Sequence, residues 1–142
     1  MMRQLEESNV KAVDVDGTMA DDSVIDMDNY SPEIIGPPIK KMVDRVKSWM
    51  AQGCRVVIFT ARVHPGHGLE EVAIAEAALK EWSREVFGVE LEITCMKDPM
   101  FSEIWDDKAV RVDKNTGDIS TQHDVVDTVC EEEADQIGEF FD

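Results

Sequence analysis

Apolar residues follow two rhythms along this chain. Short, nearly unbroken runs read as strands: "VKAVDV" from residue 10, "CRVVIFT" from residue 54, "LEITCM" from residue 91 and the brief "SEIWDD" from residue 102. A continuous β-branched run such as the second suits a strand buried on both faces. Between the runs, apolar residues repeat every three or four positions, which predicts helices. One such stripe is Ile39, Met42, Val43, Val46 and Trp49, opened by Pro37-Pro38 and stopped by Gly53. Another is Leu69, Val72, Ala75, Leu79, Trp82 and Val86, a helix over about 69–87 ended by Gly88. The segment 108–120 predicts a strand with a turn at Asn115-Thr116-Gly117. An acidic last helix over about 123–141 would align Val126, Cys130, Ala134, Ile137 and Phe141. Strands alternating with helices predict an α/β fold with a mainly parallel sheet. Ligands of such sheets sit beyond the carboxyl ends of the strands.

The 142 residues suit one domain, 1–142, with no repeat and no low-complexity linker. Thirty-one acidic residues against 14 basic give a net charge of −17. That field argues against non-specific nucleic-acid binding and against anionic membranes. No apolar run reaches the length of a membrane span, and "MMRQLEESNV" has no apolar signal core. Cys54, Cys95 and Cys130 form neither a disulfide framework nor a metal clip, so a reduced, cytoplasmic protein is expected.

Chemistry gathers where the strands end. Asp14 and Asp16 follow the first strand, Thr60 the second, Lys97 the third, and Asp106 and Asp107 the fourth. Two carboxylates one residue apart at the end of a buried run repel each other, so a cation or a catalytic task should offset that cost. If the strands align, one edge gathers four carboxylates, a hydroxyl and an ammonium. This is an inventory for metal-assisted phosphoryl transfer. Mg²⁺ takes oxygen ligands and can bridge carboxylates and phosphate. Asp14 can attack phosphorus, Asp16 can handle the leaving group's proton, and Thr60 and Lys97 can hold phosphoryl oxygens. Asp106 completes a ligand set, and Asp107 steadies the metal shell or Lys97.

The order "DVDGT", "VVIFT", Lys97 and "EIWDD" resembles the four motifs of the haloacid dehalogenase-like superfamily of phosphatases and phosphotransferases. The resemblance spans residues 10–107. It implies a three-layer α/β/α Rossmann-like core, with Asp14 as nucleophile and Asp16 as general acid/base. Mg²⁺ would be held by Asp14, the main-chain carbonyl of Asp16, and Asp106, with Asp107 beside them. Gly17 would allow a tight turn after the nucleophile. Residues 18–37 match the family's flap, and neither that stretch nor the interval from Thr60 to Lys97 has room for a large cap. The implied protein is a small capless phosphatase with an open site. Open sites suit large substrates, or small ones when subunits of a homo-oligomer close the cleft. The expected substrate is a small phosphate monoester or a nucleotide. The alternatives are a phosphotransferase of the same type and a non-catalytic metal- or phosphate-binding protein.

Competing readings fare worse. A calcium loop counted from Asp14 needs Gly and Glu where Met19 and Ile25 stand. A phosphorylation receiver places its lysine after its acids, whereas Lys97 precedes Asp106. Arg62, directly after Thr60, has a fork suited to phosphate or carboxylate. His64 and His67 belong to the rim of such a site, as substrate contacts, as metal ligands or as plain loop residues, two histidines in a Gly/Pro loop being a weak metal signal. Asp21 and Asp22 read as a solvated turn, Lys108 as balance for the acids, and Trp49 and Trp82 as core. Trp105 is positioned to buttress the acids.

Overall fold

The computed structural model describes residues 9–121. Strands β1 (Val10–Val13), β2 (Arg55–Phe59), β3 (Glu92–Thr94) and β4 (Phe101–Trp105) form one sheet in the order β3-β2-β1-β4. Every pairing is parallel. Parallel neighbours need crossovers, and α1 (Lys40–Ala51) and α2 (Leu69–Phe87) supply those from β1 to β2 and from β2 to β3. The chain is therefore α/β, and both helices match the apolar stripes in the sequence except at Leu69, which is 90% exposed in the first turn of α2. The expected helix over 123–141 lies outside the described residues.

Alternate strand residues divide the sheet into two buried faces. Val13, Val56 and Ile58 share a cluster with Met42, Val46 and Trp49 of α1 and with Leu79 and Trp82 of α2. Val10, Ala12 and Val57 are buried as well. Burial on both faces explains why the strands read as runs rather than as alternation.

One interior residue departs from that apolar pattern. Lys11 has no exposed surface, and its Nζ lies 2.7 Å from Glu103 Oε1 and 5.5 Å from the centre of the Trp49 ring. A register shift makes the pair possible: Val10 faces Phe101 but Lys11 faces Glu103. The residue left out, Ser102, donates its hydroxyl to the Val10 carbonyl at 2.9 Å. Trp105 Nε1 also donates to Glu103 Oε1, at 3.1 Å.

The expected strand within 108–120 reduces to a single bridge between Val112 and Ile119. Its turn is the expected one, with Asn115 and Gly117 at φ +64° and +82°. These residues are exposed, so little apolar burial extends the pairing. The expectation of reduced thiols holds for Cys95 but not for Cys54, which is disulfide-bonded. An odd cysteine count still permits one bridge. Among the described residues, no helix is long and apolar enough to cross a membrane.

Candidate functional site

Parallel alignment brings the ends of β1 and β4 together. The Asp14 amide donates to the carbonyl of Trp105, the last residue of β4, at 2.9 Å, extending the ladder one residue past β1. Asp14 thus stands beside Asp106, and carboxylate oxygens of Asp14, Asp106 and Asp107 lie within 4.8 Å of one another. Asp14 is half-buried and the other two are exposed. The Asp14 carboxyl is raised from 3.8 to about 7, first by burial, then by the charge of Asp106 and, less, of Asp107. A hydrogen bond from the Val15 backbone and one from Thr18 pull the other way. The Thr18 hydroxyl lies 3.3 Å from Asp14 Oδ2 and 3.4 Å from Asp107 Oδ1, so it links both carboxylates weakly.

Gly17 has two physical reasons to be glycine. Its φ is +87°, and a Cβ there would stand 2.8 Å from Asp107 Oδ2. Any side chain would strain the turn and push Asp107 from the cluster.

The second aspartate of "DVDGT" faces elsewhere. Asp16 accepts from Arg62 Nε at 2.7 Å and from Arg62 Nη2 at 2.9 Å, a forked pair. The Arg62 side chain is 5% exposed. It also donates to the main-chain carbonyls of Pro32 and Ile34, at 3.2 and 2.9 Å. Its guanidinium lies 5.5 Å from the centre of the Tyr30 ring. Burial alone would lower the Arg62 pKa, but the bonds and charge of Asp16, with help from Tyr30, hold it above the ordinary value. Arg62 is thus a fixed cation already serving a carboxylate.

Thr60 ends β2, is buried, and accepts from the Arg62 amide at 3.1 Å. Its own amide donates to Thr94, holding it against β3. A cleft of about 680 Å³ opens over these strand ends, and Asp14, Asp16, Thr60, Arg62 and Asp106 all line it. Lys97 does not line it and is exposed. β3 stops at Thr94, whose hydroxyl accepts from the Met96 amide at 3.0 Å, and the chain turns away before Lys97. Lys108 lines the cleft instead, its amide bound to Asp106 Oδ1 at 2.8 Å. Its position directly after "WDD" was the available signal.

Other residues emerge only with the fold. Ile25, Met27 and Tyr30 of the flap form one wall of the cleft. The flap carries two single-turn 3-10 helices, Asp22–Val24 and Met27–Asn29, capped by Asp21 and Asp26. His64 and His67 line the cleft too. His64 Nδ1 accepts from the Gly66 amide at 2.8 Å, and His67 Nε2 lies 3.1 Å from the Ala61 carbonyl. Each histidine therefore has one ring nitrogen engaged in its own loop. Trp105 packs against Trp49, ring centres 5.0 Å apart, directly behind the acids.

Fold and site together define a class: a parallel α/β protein with an acidic cluster and a cleft at the carboxyl edge of its sheet. No family model, curated protein or solved structure matches the chain.

Proposed function

We propose that this protein is a Mg²⁺-dependent phosphatase of the haloacid dehalogenase-like kind. It would hydrolyse a small phosphate monoester or nucleotide through an aspartyl-phosphate on Asp14. The observation that carries this reading is the convergence of Asp14, Asp106 and Asp107 within 4.8 Å, with Asp14 and Asp106 lining a cleft shared with Thr60. The donor set suits a hard divalent cation, being all carboxylate oxygen. Burial first, and then the neighbouring acids, raise the Asp14 carboxyl, and a cation there would offset both. When bound, Mg²⁺ would supply charge neutralisation for the nucleophile and the phosphoryl oxygens.

The chain's own residues would divide the work as follows. Asp14, ionised, attacks phosphorus in line, and the bond from phosphorus to the ester oxygen breaks. Thr60 donates its hydroxyl to a phosphoryl oxygen, and Lys108 offers the cleft an ammonium. Asp16 gives a proton to the departing oxygen and takes one from the water that later attacks the aspartyl-phosphate. Both Asp16 oxygens accept from Arg62, so a protonated Asp16 must release one of these bonds. Lys97 keeps a role only if its loop turns inward.

The finer architecture belongs to the same proposal: a three-layer Rossmann-like core with no large cap. The flap contains only short turns, and the interval from β2 to β3 contains only short turns and α2, which supports a capless site. The test is phosphate release from a panel of esters by wild type and Asp14→Asn, with Mg²⁺ and with chelator. Release that needs both Asp14 and the metal is expected. Equal release by the two proteins, or full activity in chelator, defeats the reading.

A further inference from the structure

The forked pair at the cleft joins two parts of the molecule that are distant in sequence. Arg62 reaches 46 residues back to Asp16 and 30 and 28 residues back to the carbonyls of Pro32 and Ile34. Four of its five N–H groups are committed in this way. Two of those bonds orient the proposed acid/base, and two hold the end of the flap that leads into α1. The Tyr30 ring, which lines the cleft, packs against the guanidinium and lies 5.8 Å from the His67 ring. The wall formed by Ile25, Met27 and Tyr30 is therefore seated on the cation that orients Asp16.

We infer that Arg62 is a positioning residue whose bonds make the seating of the flap and the orientation of Asp16 a single state. The sequence reading of Arg62 as a substrate clamp gives way to this one. A guanidinium 5% exposed, with four donors engaged, has little left to offer a phosphate. Geometry also excludes a simple replacement. Lysine carries the charge but not the planar fork, so it cannot serve Asp16 and both carbonyls together. The coupling runs in both directions: loosening Asp16 must loosen the flap, although Asp16 bonds to no flap atom through its side chain. The inference rests on the proposed reaction only for the duty given to Asp16.

Amide hydrogen exchange of residues 30–35 reads the coupling without any turnover. Asp16→Asn keeps the size of a side chain that is 31% exposed, so it should fold, and Arg62→Lys removes the fork. Losing charge-assisted bonds of this kind should speed flap exchange by roughly ten- to a hundredfold. Exchange in α1 should stay at the wild-type rate and so report an intact fold. Flap exchange at the wild-type rate in Asp16→Asn overturns the inference, even if Arg62→Lys fails to fold. Steady-state kinetics on a small aryl phosphate adds a second reading. A positioning residue predicts that Arg62→Lys lowers kcat about tenfold or more with KM little changed. A clamp predicts the reverse, a raised KM at preserved kcat. Coupling without phosphate release would refute the phosphatase and keep the inference, and phosphate release without coupling would do the opposite.

Discussion

Lys11–Glu103 and Arg62–Asp16 both set a buried cation against a carboxylate, one inside the sheet and one at its edge. The interior pair is a single contact of 2.7 Å, closed off by Trp49 and Trp105. It faces no cleft. The edge pair is forked, lines the cleft, and extends to two flap carbonyls. A cation inside the sheet needs its partner merely to be tolerated there. A cation at the edge can hold a reactive group and a wall of the cleft together. The difference teaches that burial and pairing are not signs of function by themselves; the surroundings of the pair decide.

The sharpest test of the edge is Asp14→Asn. Turnover should fall about 10⁴-fold or more if the group is the nucleophile. Stability should move the other way. The Asp14 carboxyl is raised from 3.8 to about 7 in the folded chain. Its favourable contribution is thus full below the unfolded value, is lost as pH rises toward about 7, and stays lost above. In chelator, Asp14→Asn should unfold at a higher temperature than wild type, with a gap that widens from pH 4 to 7 and then levels. A gap that narrows over this range would mean that neither burial nor the neighbouring acids raise the Asp14 carboxyl in the folded chain.

The interior should respond in the opposite sense. Glu103→Ala leaves the Lys11 ammonium buried without its carboxylate, which should cost about 3–5 kcal/mol in urea unfolding. The double variant Lys11→Met with Glu103→Leu should recover most of that loss. If Glu103→Ala changes stability by less than about 1 kcal/mol, water reaches Lys11 and the two regions differ less than the geometry says.

Metal binding separates the regions again. Mg²⁺ at a hundred times its dissociation constant should stabilise wild type by about 2.7 kcal/mol. Asp106→Asn should abolish most of that gain, because Asp106 is one of the three clustered ligands. The Lys11 and Glu103 double variant should keep it. An equal Mg²⁺ response in Asp106→Asn would remove the cluster as the binding place.

Much of the fold and of the acidic edge was legible in the sequence, for identifiable reasons. α1 and α2 follow their apolar stripes, because packing against the sheet needs a continuous face. The acids of "DVDGT" and "EIWDD" could be assigned to one edge, since parallel strands all end on the same side. Lys11 was hidden because a lysine inside "VKAV" gives no hint of a register shift that delivers Glu103 to it. The partnership of Arg62 was hidden as well. Forks suit phosphate and carboxylate equally, and only the fold shows that Asp16 occupies this one. Lys97 misled because β3 ends three residues before it, whereas Lys108 sits one residue beyond the acid pair. Tyr30 and Met27 had no periodic pattern to mark them, being loop residues positioned by short turns.

A third pair supplies the smallest expected effect and the cleanest control. Arg55 Nε and Nη2 donate to the two oxygens of Glu92 at 2.7 and 2.8 Å, nearly the geometry of Arg62 and Asp16. Both side chains, however, are 58% exposed. Hydrogen bonds from Arg55 hold the Glu92 carboxyl below its ordinary value, so the pair helps above that range and fades as acid protonates Glu92. Solvent screens such a pair, and Glu92→Gln should cost less than about 1 kcal/mol near neutral pH. Turnover should not change, since neither residue lines the cleft. If Glu92→Gln instead matched Asp16→Asn in speeding flap exchange, the effect would follow from losing any forked pair. The special place of Arg62 beneath the flap would then explain nothing. A silent Glu92→Gln beside a responsive Asp16→Asn assigns the coupling to the position of Arg62, between an acid and the cleft wall, and not to the fork itself.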